Sequence, residues 1–421
     1  MDTALKKIPV AQLRRGMYLH KMTGSWLDHP FWRSAFVVDD TTDLAAVQRS
    51  GIEEVWIDVS KGLDVLMADA ASLPAAPVAP TAAAPAPAMP EPEAPAAPVA
   101  PAVIARPQPI PLAEELQQAR AICQGARDAV ASMFGEVRMG RAVDATAALP
   151  LVQEISDSVQ RNPGALISIA RLKSRDDYTY MHSVAVCGLM VALAKQIGQS
   201  DAQVREAGLG GLLHDLGKAL VPPEVLNKPG SLTEAEFRIM KSHPMEGWKL
   251  VNHGAAVSRP VQEVILHHHE KFDGSGYPHR LSGEGISPLA RMGAICDVYD
   301  AVTSKRCYKD AWDPAHAVRQ MMQWKGHFDP ALMQAFVKSL GIYPVGSLVR
   351  LASDRLAVIV EQNPQALLQP VVRVFHCAKN HQPLVPERID LRTAAVPDKI
   401  VGIEDTKKWG FQNLDALWMQ A

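Results

Sequence analysis

Apolar and polar positions change rhythm twice along the chain. Between residues 8 and 62 the runs are short and alternating, Ala35 to Asp39 and Glu54 to Val59, on either side of a helical stretch from Asp43 to Arg49 that Gly51 closes. Period-two alternation marks half-buried strands, and a glycine just past the last periodic residue marks a helix end, so a small α+β module is expected. From about residue 112 the apolar spacing turns helical and the starts are well marked. Ser200-x-x-Gln203 and Thr233-x-x-Glu236 read as capping boxes, and Pro244, Pro288, Pro314 and Pro330 each stand in a first helical turn. The uncharged run Val184 to Ala194 is too short to span a bilayer and reads as a buried helix. After Tyr343 strands return at Leu348 to Leu351, Leu356 to Glu361 and Val371 to Phe375. The expected architecture is mainly α: a helical domain over 112–342, preceded by the α+β module in 1–70 and followed by a short β-rich extension, 343–421.

Proline composition adds a fourth segment. Thirteen of the 32 prolines lie between Ala71 and Pro111, among Ala and Val with only Glu91, Glu93 and Arg106 as charges. Such a stretch cannot bury enough side chain to offset its ordering entropy, so 71–111 is expected to be a semi-rigid tether. The charges nearly cancel, 43 Lys+Arg against 45 Asp+Glu, which argues against a nucleic-acid polymer bound by a basic face. Five cysteines stand far apart without a CxxC pair, and Met1 to Gly16 has no apolar stretch of signal-peptide type. Reduced thiols, a cytoplasmic location and no membrane insertion are the expectation. In the first module Trp26, Phe31, Trp32 and Trp56 read as core or docking surface rather than a cofactor box.

The informative chemistry is in the histidines. Seven of the 14 fall between 182 and 269. They include His182 at a helix start, His214 followed by Asp215, His243 at a helix N-terminus and the run His267, His268, His269; Asp297 then lies inside the helix begun by Pro288. A single histidine on an apolar face is usually a hydrogen-bonded core residue. Five elements of one domain each offering His or Asp suit a pair of divalent first-row metals instead. A carboxylate can bridge two ions, as one imidazole nitrogen cannot, which makes Asp215 the natural bridge. Two such ions acidify a shared water and clamp a phosphoryl oxygen, the requirement for phosphoester hydrolysis. Lys218 follows His214 by four, on the same face of a continuing helix, where it serves either to neutralise a phosphate oxygen or protonate a leaving group, or merely as a solvated surface lysine.

Together HDLGK (214–218), His243, HHEKFDGSGYP (268–278) and DVYDAVTSKRCY (297–308) resemble the HD-GYP subgroup of the HD-domain metal-dependent phosphohydrolases. The resemblance covers about 165–340, and Tyr18 to Lys61, with GSWLDHPFWRS at 24–34, is similar to the small module that often precedes such domains. It implies an all-helical HD-type phosphohydrolase domain hydrolysing cyclic di-GMP to linear pGpG and, in some members, on to GMP. The metal ligands it implies are His182, His214, Asp215, His243, His268, His269 and Asp297, with Asp215 and Lys218 carrying the chemistry. His267 is then the extra histidine, facing solvent or supporting the ligands from behind. Tyr178 stands where three-metal relatives place a glutamate, so two divalent ions are expected, Fe or Mn foremost, with Zn, Ni or Co also suited. Gly276, Tyr277 and Pro278 form a shaped lip for substrate contact or for docking a signalling-domain partner, and Arg306 and Lys309 match the family's phosphate- and guanine-holding basic positions. A homodimer is left open. Two other readings stand beside the phosphodiesterase: a catalytically weak cyclic dinucleotide sensor or scaffold, and a hydrolase of another cyclic dinucleotide.

Overall fold

The computed structural model describes residues 5–22, 36–38, 44, 54–64, 108, 110–173, 177–252, 257–304, 311–363, 365–393, 398–411 and 413–419. The expected Asp43–Arg49 helix apart from Leu44, Trp26, Phe31, Trp32, nearly all of the 71–111 segment, and Arg306 with Lys309 lie outside the described residues. Two compact units emerge, Met1–Ile104 and Ala105–Ala421.

The first unit is a four-stranded antiparallel sheet of β1 (Leu5–Pro9), β2 (Tyr18–Met22), β3 (Phe36–Val37) and β4 (Glu54–Asp58), in the order β1-β4-β2-β3. Strands β3 and β4 fall within the two alternating runs; β1 and β2 were not anticipated. A register shift between Leu19 and Lys21 breaks the alternation of β2, and β1 is an edge strand carrying exposed Lys6 and Lys7. Val55 and Ile57 of the central β4 face a core with Ile8, Val10, Leu13, Met17, Leu19 and Val38, while Trp56 is only half-buried.

The second unit is helical for most of its length: α1 (Leu112–Arg138), α2 (Leu149–Arg161), α3 (Pro163–Arg171), α4 (Tyr178–Gln196), α5 (Asp201–Leu213), α6 (Glu234–Met240), α7 (His243–Asn252), α8 (Arg259–His267), α9 (Pro288–Thr303), α10 (Pro314–Gln323) and α11 (Pro330–Leu340), with a short extra turn at Pro223–Leu226. Both anticipated capping boxes form, Ser200 with Gln203 and Thr233 with Glu236. Ser287, Asp313 and Asp329 accept from backbone amides in the first turns that begin with Pro288, Pro314 and Pro330. Helix α4 is buried continuously from Met181 to Ala194, the mark of a central helix apolar all round. Among the described residues no helix is long and apolar enough to cross a membrane.

A five-stranded antiparallel sheet follows, β5 (Leu348–Leu351), β6 (Arg355–Glu361), β7 (Val371–Cys377), β8 (Gln382–Asp390) and β9 (Ile400–Ile403), in the order β8-β7-β6-β5-β9. It is fastened to the helices where the Leu348 amide donates to Asp313 Oδ2 at 3.1 Å, and the short C-terminal helix Asp415–Met419 is tied to α3 by Arg171, 3.5 Å from Asp415. Strand β8 escaped sequence reading because it is an exposed edge containing Pro383 and Pro386, and only an edge tolerates proline in this way.

Candidate metal centre

Five elements deliver the predicted ligands to one place. His182 lies one turn into α4, His214 caps the end of α5, His243 opens α7, His268 and His269 follow α8, and Asp297 lies in α9. The HDLGK segment does not continue the helix, as the His214–Lys218 spacing had suggested. Helix α5 ends at Leu213, and Leu216–Leu220 winds into a tighter 3-10 turn. Lys218 consequently pairs with Asp215, its Nζ 2.5 Å from Oδ2, rather than lying along the face of His214. Gly217 makes the break possible: a Cβ there would stand 2.0 Å from the His243 carbonyl oxygen and 2.5 Å from the Gly247 amide. Only glycine lets α7 approach closely enough to bring His243 to Asp215.

All seven side chains converge, and Asp215 is at their centre. Its Oδ2 lies 3.5 Å from His182 Nε2 and 3.3 Å from His214 Nε2; its Oδ1 lies 3.2 Å from His243 Nε2 and 3.8 Å from His268 Nε2. Asp297 spans the same two halves, with Oδ1 2.9 Å from His182 Nε2 and Oδ2 3.6 Å from His269 Nδ1. The donors thus divide into two triads, His182–His214–Asp215 and His243–His268–His269.

The other ring nitrogens fix which atoms face inward. Nδ1 of His214 donates to the Gly211 carbonyl at 2.8 Å, Nδ1 of His243 to Met240 at 2.7 Å, and Nδ1 of His268 to Ile265 at 3.0 Å. Nδ1 of His182 meets Asp300 Oδ2 at 2.6 Å. For His214, His243 and His268 the outward bond holds the proton on Nδ1 and leaves the Nε2 lone pair facing the centre, the usual support for a metal-binding imidazole, whereas His182 lies between two carboxylates, with Nε2 hydrogen-bonded to Asp297. Asp300, itself ion-paired to fully buried Lys173, was not picked out from the sequence. Its signal is its place one helical turn after Asp297 on the same face of α9; Lys173 is legible only in three dimensions.

Two buried atoms at the focus, His214 Nε2 and Asp215 Oδ1, have no hydrogen-bond partner. An unsatisfied buried polar atom costs about 1–3 kcal/mol. Two of them, aimed at the same space among imidazole lone pairs, fit bound cations better than a self-sufficient polar core. The protonation states agree. Burial holds His243 and His268 below the ordinary histidine range and pushes His269 down to about 3, so these rings are neutral donors at pH 7. Burial alone would raise Asp215 and Asp297. For Asp215, His214 and Lys218 outweigh it, and for Asp297 the His182 hydrogen bond does, leaving both carboxylates well below their usual range.

At Tyr178, in place of a carboxylate, the structure has a ring stacked on His182 at 5.9 Å. Asp177 turns away to Arg127 at 3.0 Å. His267 is buried rather than solvent-facing, and it meets Glu263 and His279 instead of the seven converging side chains.

The glycine-rich segment forms one wall. A Cβ on Gly276 would stand 2.4 Å from the Lys271 amide nitrogen and 2.5 Å from Glu270 Cα, so this close crossing of backbones demands glycine. Glu270 holds the segment by accepting from the amides of His279 at 2.7 Å and Leu281 at 3.1 Å. Tyr277 is thereby stacked on His269, with ring centres 4.7 Å apart. Tyr277, Gly276 and Pro278 line a pocket of about 590 Å3 together with two cations, Lys241 and Arg280. Neither cation was anticipated from the sequence: Lys241 reaches the lip only because the end of α6 folds against it, whereas Arg280, two residues past Pro278, lay within view.

Residues 157–332 match the HD domain family, and residues 5–148 match a domain of unknown function, DUF3391. The chain is 51% identical over 417 residues to a cyclic di-GMP phosphodiesterase, PA4108, of Pseudomonas aeruginosa, covering 98% of this chain and 95% of that one. It is 36% identical over 193 residues to the cyclic di-GMP phosphodiesterase response regulator RpfG of Xanthomonas campestris, 45% of this chain and 50% of that one. A 3'3'-cGAMP-specific phosphodiesterase 2 of Vibrio cholerae is 34% identical over 175 residues, 41% of this chain and 33% of that one. Among solved structures, the HDG"Y"P protein Bd1817 of Bdellovibrio bacteriovorus aligns at TM-score 0.43 with 17% identity, covering 79% of this chain and 98% of that one.

Proposed function

The chain belongs to the HD-GYP family of HD-domain phosphohydrolases, and from that membership we propose that it is a metal-dependent phosphodiesterase that hydrolyses cyclic di-GMP. The observation that carries this reading is the arrangement around Asp215, whose two oxygens each face a separate pair of imidazole nitrogens. That is the disposition of a carboxylate shared by two cations. His182, His214 and Asp215 would hold one ion and His243, His268 and His269 the other, with Asp215 and Asp297 common to both. Two ions so held supply Lewis acidity toward a phosphoryl oxygen and acidify water for attack on phosphorus.

The chain's own residues do the rest. The Nδ1 bonds keep the imidazoles oriented, so little rearrangement is needed at the moment of reaction. Lys218 is 20% exposed beside Asp215. With the carboxylate engaged by cations, its ammonium is free to turn to a nonbridging phosphate oxygen or to protonate the leaving oxygen. Tyr277 offers a flat face at the rim for a base, and Gly276 and Pro278 hold that face in place. Arg306 and Lys309 complete the proposal as phosphate and guanine contacts, Arg suited to bidentate pairing and Lys to a point charge.

We assign two ions rather than three because Tyr178 offers no carboxylate, with Fe or Mn as the preferred metals. The product is linear pGpG, with GMP as a further product to be tested. The enzyme is placed in the cytoplasm, with 1–70 as an input module, 71–111 as its tether, 112–342 as the catalytic domain and 343–421 as an extension. Protein purified anaerobically with Fe(II) or Mn(II) is expected to convert cyclic di-GMP to pGpG, followed by chromatography. The same assay with 3'3'-cGAMP tests the alternative substrate class. No turnover under any metal, with Asp215→Ala indistinguishable from the parent, would leave a sensor or scaffold as the better account.

A further inference from the structure

A second group of metal-type donors lies outside the Asp215 centre. His267 Nε2 faces His279 Nδ1 at 3.0 Å, and with a Glu270 carboxylate oxygen these donor atoms all lie within 4.8 Å of one another. His267 is buried, whereas His279 is exposed on the far side of Pro278. Behind His267 stands Glu263, whose Oε2 accepts from Nδ1 at 2.8 Å. That bond fixes the proton on Nδ1 and presents the Nε2 lone pair to His279, the same carboxylate–histidine support that His182 receives from Asp300. Glu270 uses one lone pair of each oxygen on the amides of His279 and Leu281, and a carboxylate has about four.

We propose that His267, His279 and Glu270 form an additional divalent-cation site, fixed by Glu263, that ties the end of α8 to the loop carrying Tyr277. Two imidazoles and one carboxylate suit a borderline ion such as Zn2+, with metal–ligand bonds of about 2.0–2.2 Å, and a small closing movement of the exposed His279 brings the donors to that span. In the metal-free protein His279 Nδ1–H donates to His267 Nε2. Binding requires His279 to carry its proton on Nε2 instead, a change of tautomer with no net proton released. Exposure of His279 leaves room for water to complete the coordination. The site differs from the Asp215 centre in purpose: it offers no shared carboxylate between two ions and closes on a loop.

Full-length protein stripped with chelator and dialysed against Zn2+ is to be compared with His279→Gln by elemental analysis. The variant is expected to hold one equivalent fewer than the parent, whatever number the Asp215 centre takes, so failure of the two-ion reading would not be mistaken for failure here. Co2+ loading gives a second readout: the visible difference spectrum between parent and variant should show one nitrogen-bound ion. Glu263→Gln should weaken that equivalent alone, by about 10–100-fold. Equal metal content in parent and His279→Gln, with superimposable Co2+ spectra, overturns the proposal.

Discussion

Two buried polar clusters in the same helical unit have opposite character. At the start of α1, Glu115 is fully buried, and its Oε1 accepts from Ser158 Oγ at 2.6 Å and Arg161 Nη2 at 2.8 Å while Oε2 accepts from Arg161 Nε at 2.5 Å. One anion meets one cation through a two-pronged contact, and neither carboxylate oxygen is left without a donor. The Asp215 centre gathers two carboxylates and five imidazoles, yet it leaves His214 Nε2 and Asp215 Oδ1 without partners. The first cluster is complete as a piece of protein; the second is complete only with something added. Between these two clusters it is saturation, more than burial or charge, that differs.

Substitution at the two carboxylates should therefore have opposite consequences. Asp215→Asn is expected to lower kcat/KM for cyclic di-GMP by about 1,000-fold or more, with the circular dichroism of the folded chain unchanged. Glu115→Ala should instead cost about 3 kcal/mol of stability, the low end for a broken buried pair because Arg161 is 20% exposed and can turn to water. Its kcat and metal content per folded chain should match the parent. Were the Glu115 variant to lose metal instead, the division between the clusters would be wrong.

A smaller effect is expected behind His182. Asp300→Asn keeps the shape but removes the charge that orients the ring and pairs buried Lys173, so metal affinity should fall about 10–100-fold and the thermal midpoint of the stripped protein should fall with it. Metal titration against a competing chelator measures it, and an unchanged affinity would reduce Asp300 to packing.

The smallest effect is one of pH. His269 is pushed by burial from the usual 6.5 down to about 3, and His243 and His268 are lowered in the same sense. Because the unfolded chain binds protons there first, stripped protein should have the full contribution above about pH 6.5 and lose it progressively as pH falls toward about 3. His269→Gln should flatten that part of the profile of thermal midpoint against pH. A slope unaltered by the substitution would show that this ring is not held neutral by its surroundings.

Much of the arrangement could be read along the chain because the candidate ligands lie at marked points: a helix start, a helix end, and a pair of histidines before a glycine-rich turn. What could not be read depends on distance across the fold. The 3-10 turn after Asp215 follows from the contact of Gly217 with α7, so helix periodicity alone misplaced Lys218. His267 differs from its two neighbours only because the chain ends α8 there and swings its ring toward His279. Asp300 lay within view, one turn from Asp297, but its role needs the ring of His182 from α4. In the sheets, β6 and β7 are buried and announced themselves, whereas β8, exposed and containing two prolines, has the composition of a loop.

The central claim is that Asp215 joins two ions. Protein stripped, reloaded with Mn(II) and examined by electron paramagnetic resonance during turnover of cyclic di-GMP tests it most directly. The account predicts the spectrum of an exchange-coupled pair that disappears, together with pGpG formation, in Asp215→Asn. Undiminished hydrolysis accompanied only by the signal of isolated Mn(II) would contradict it.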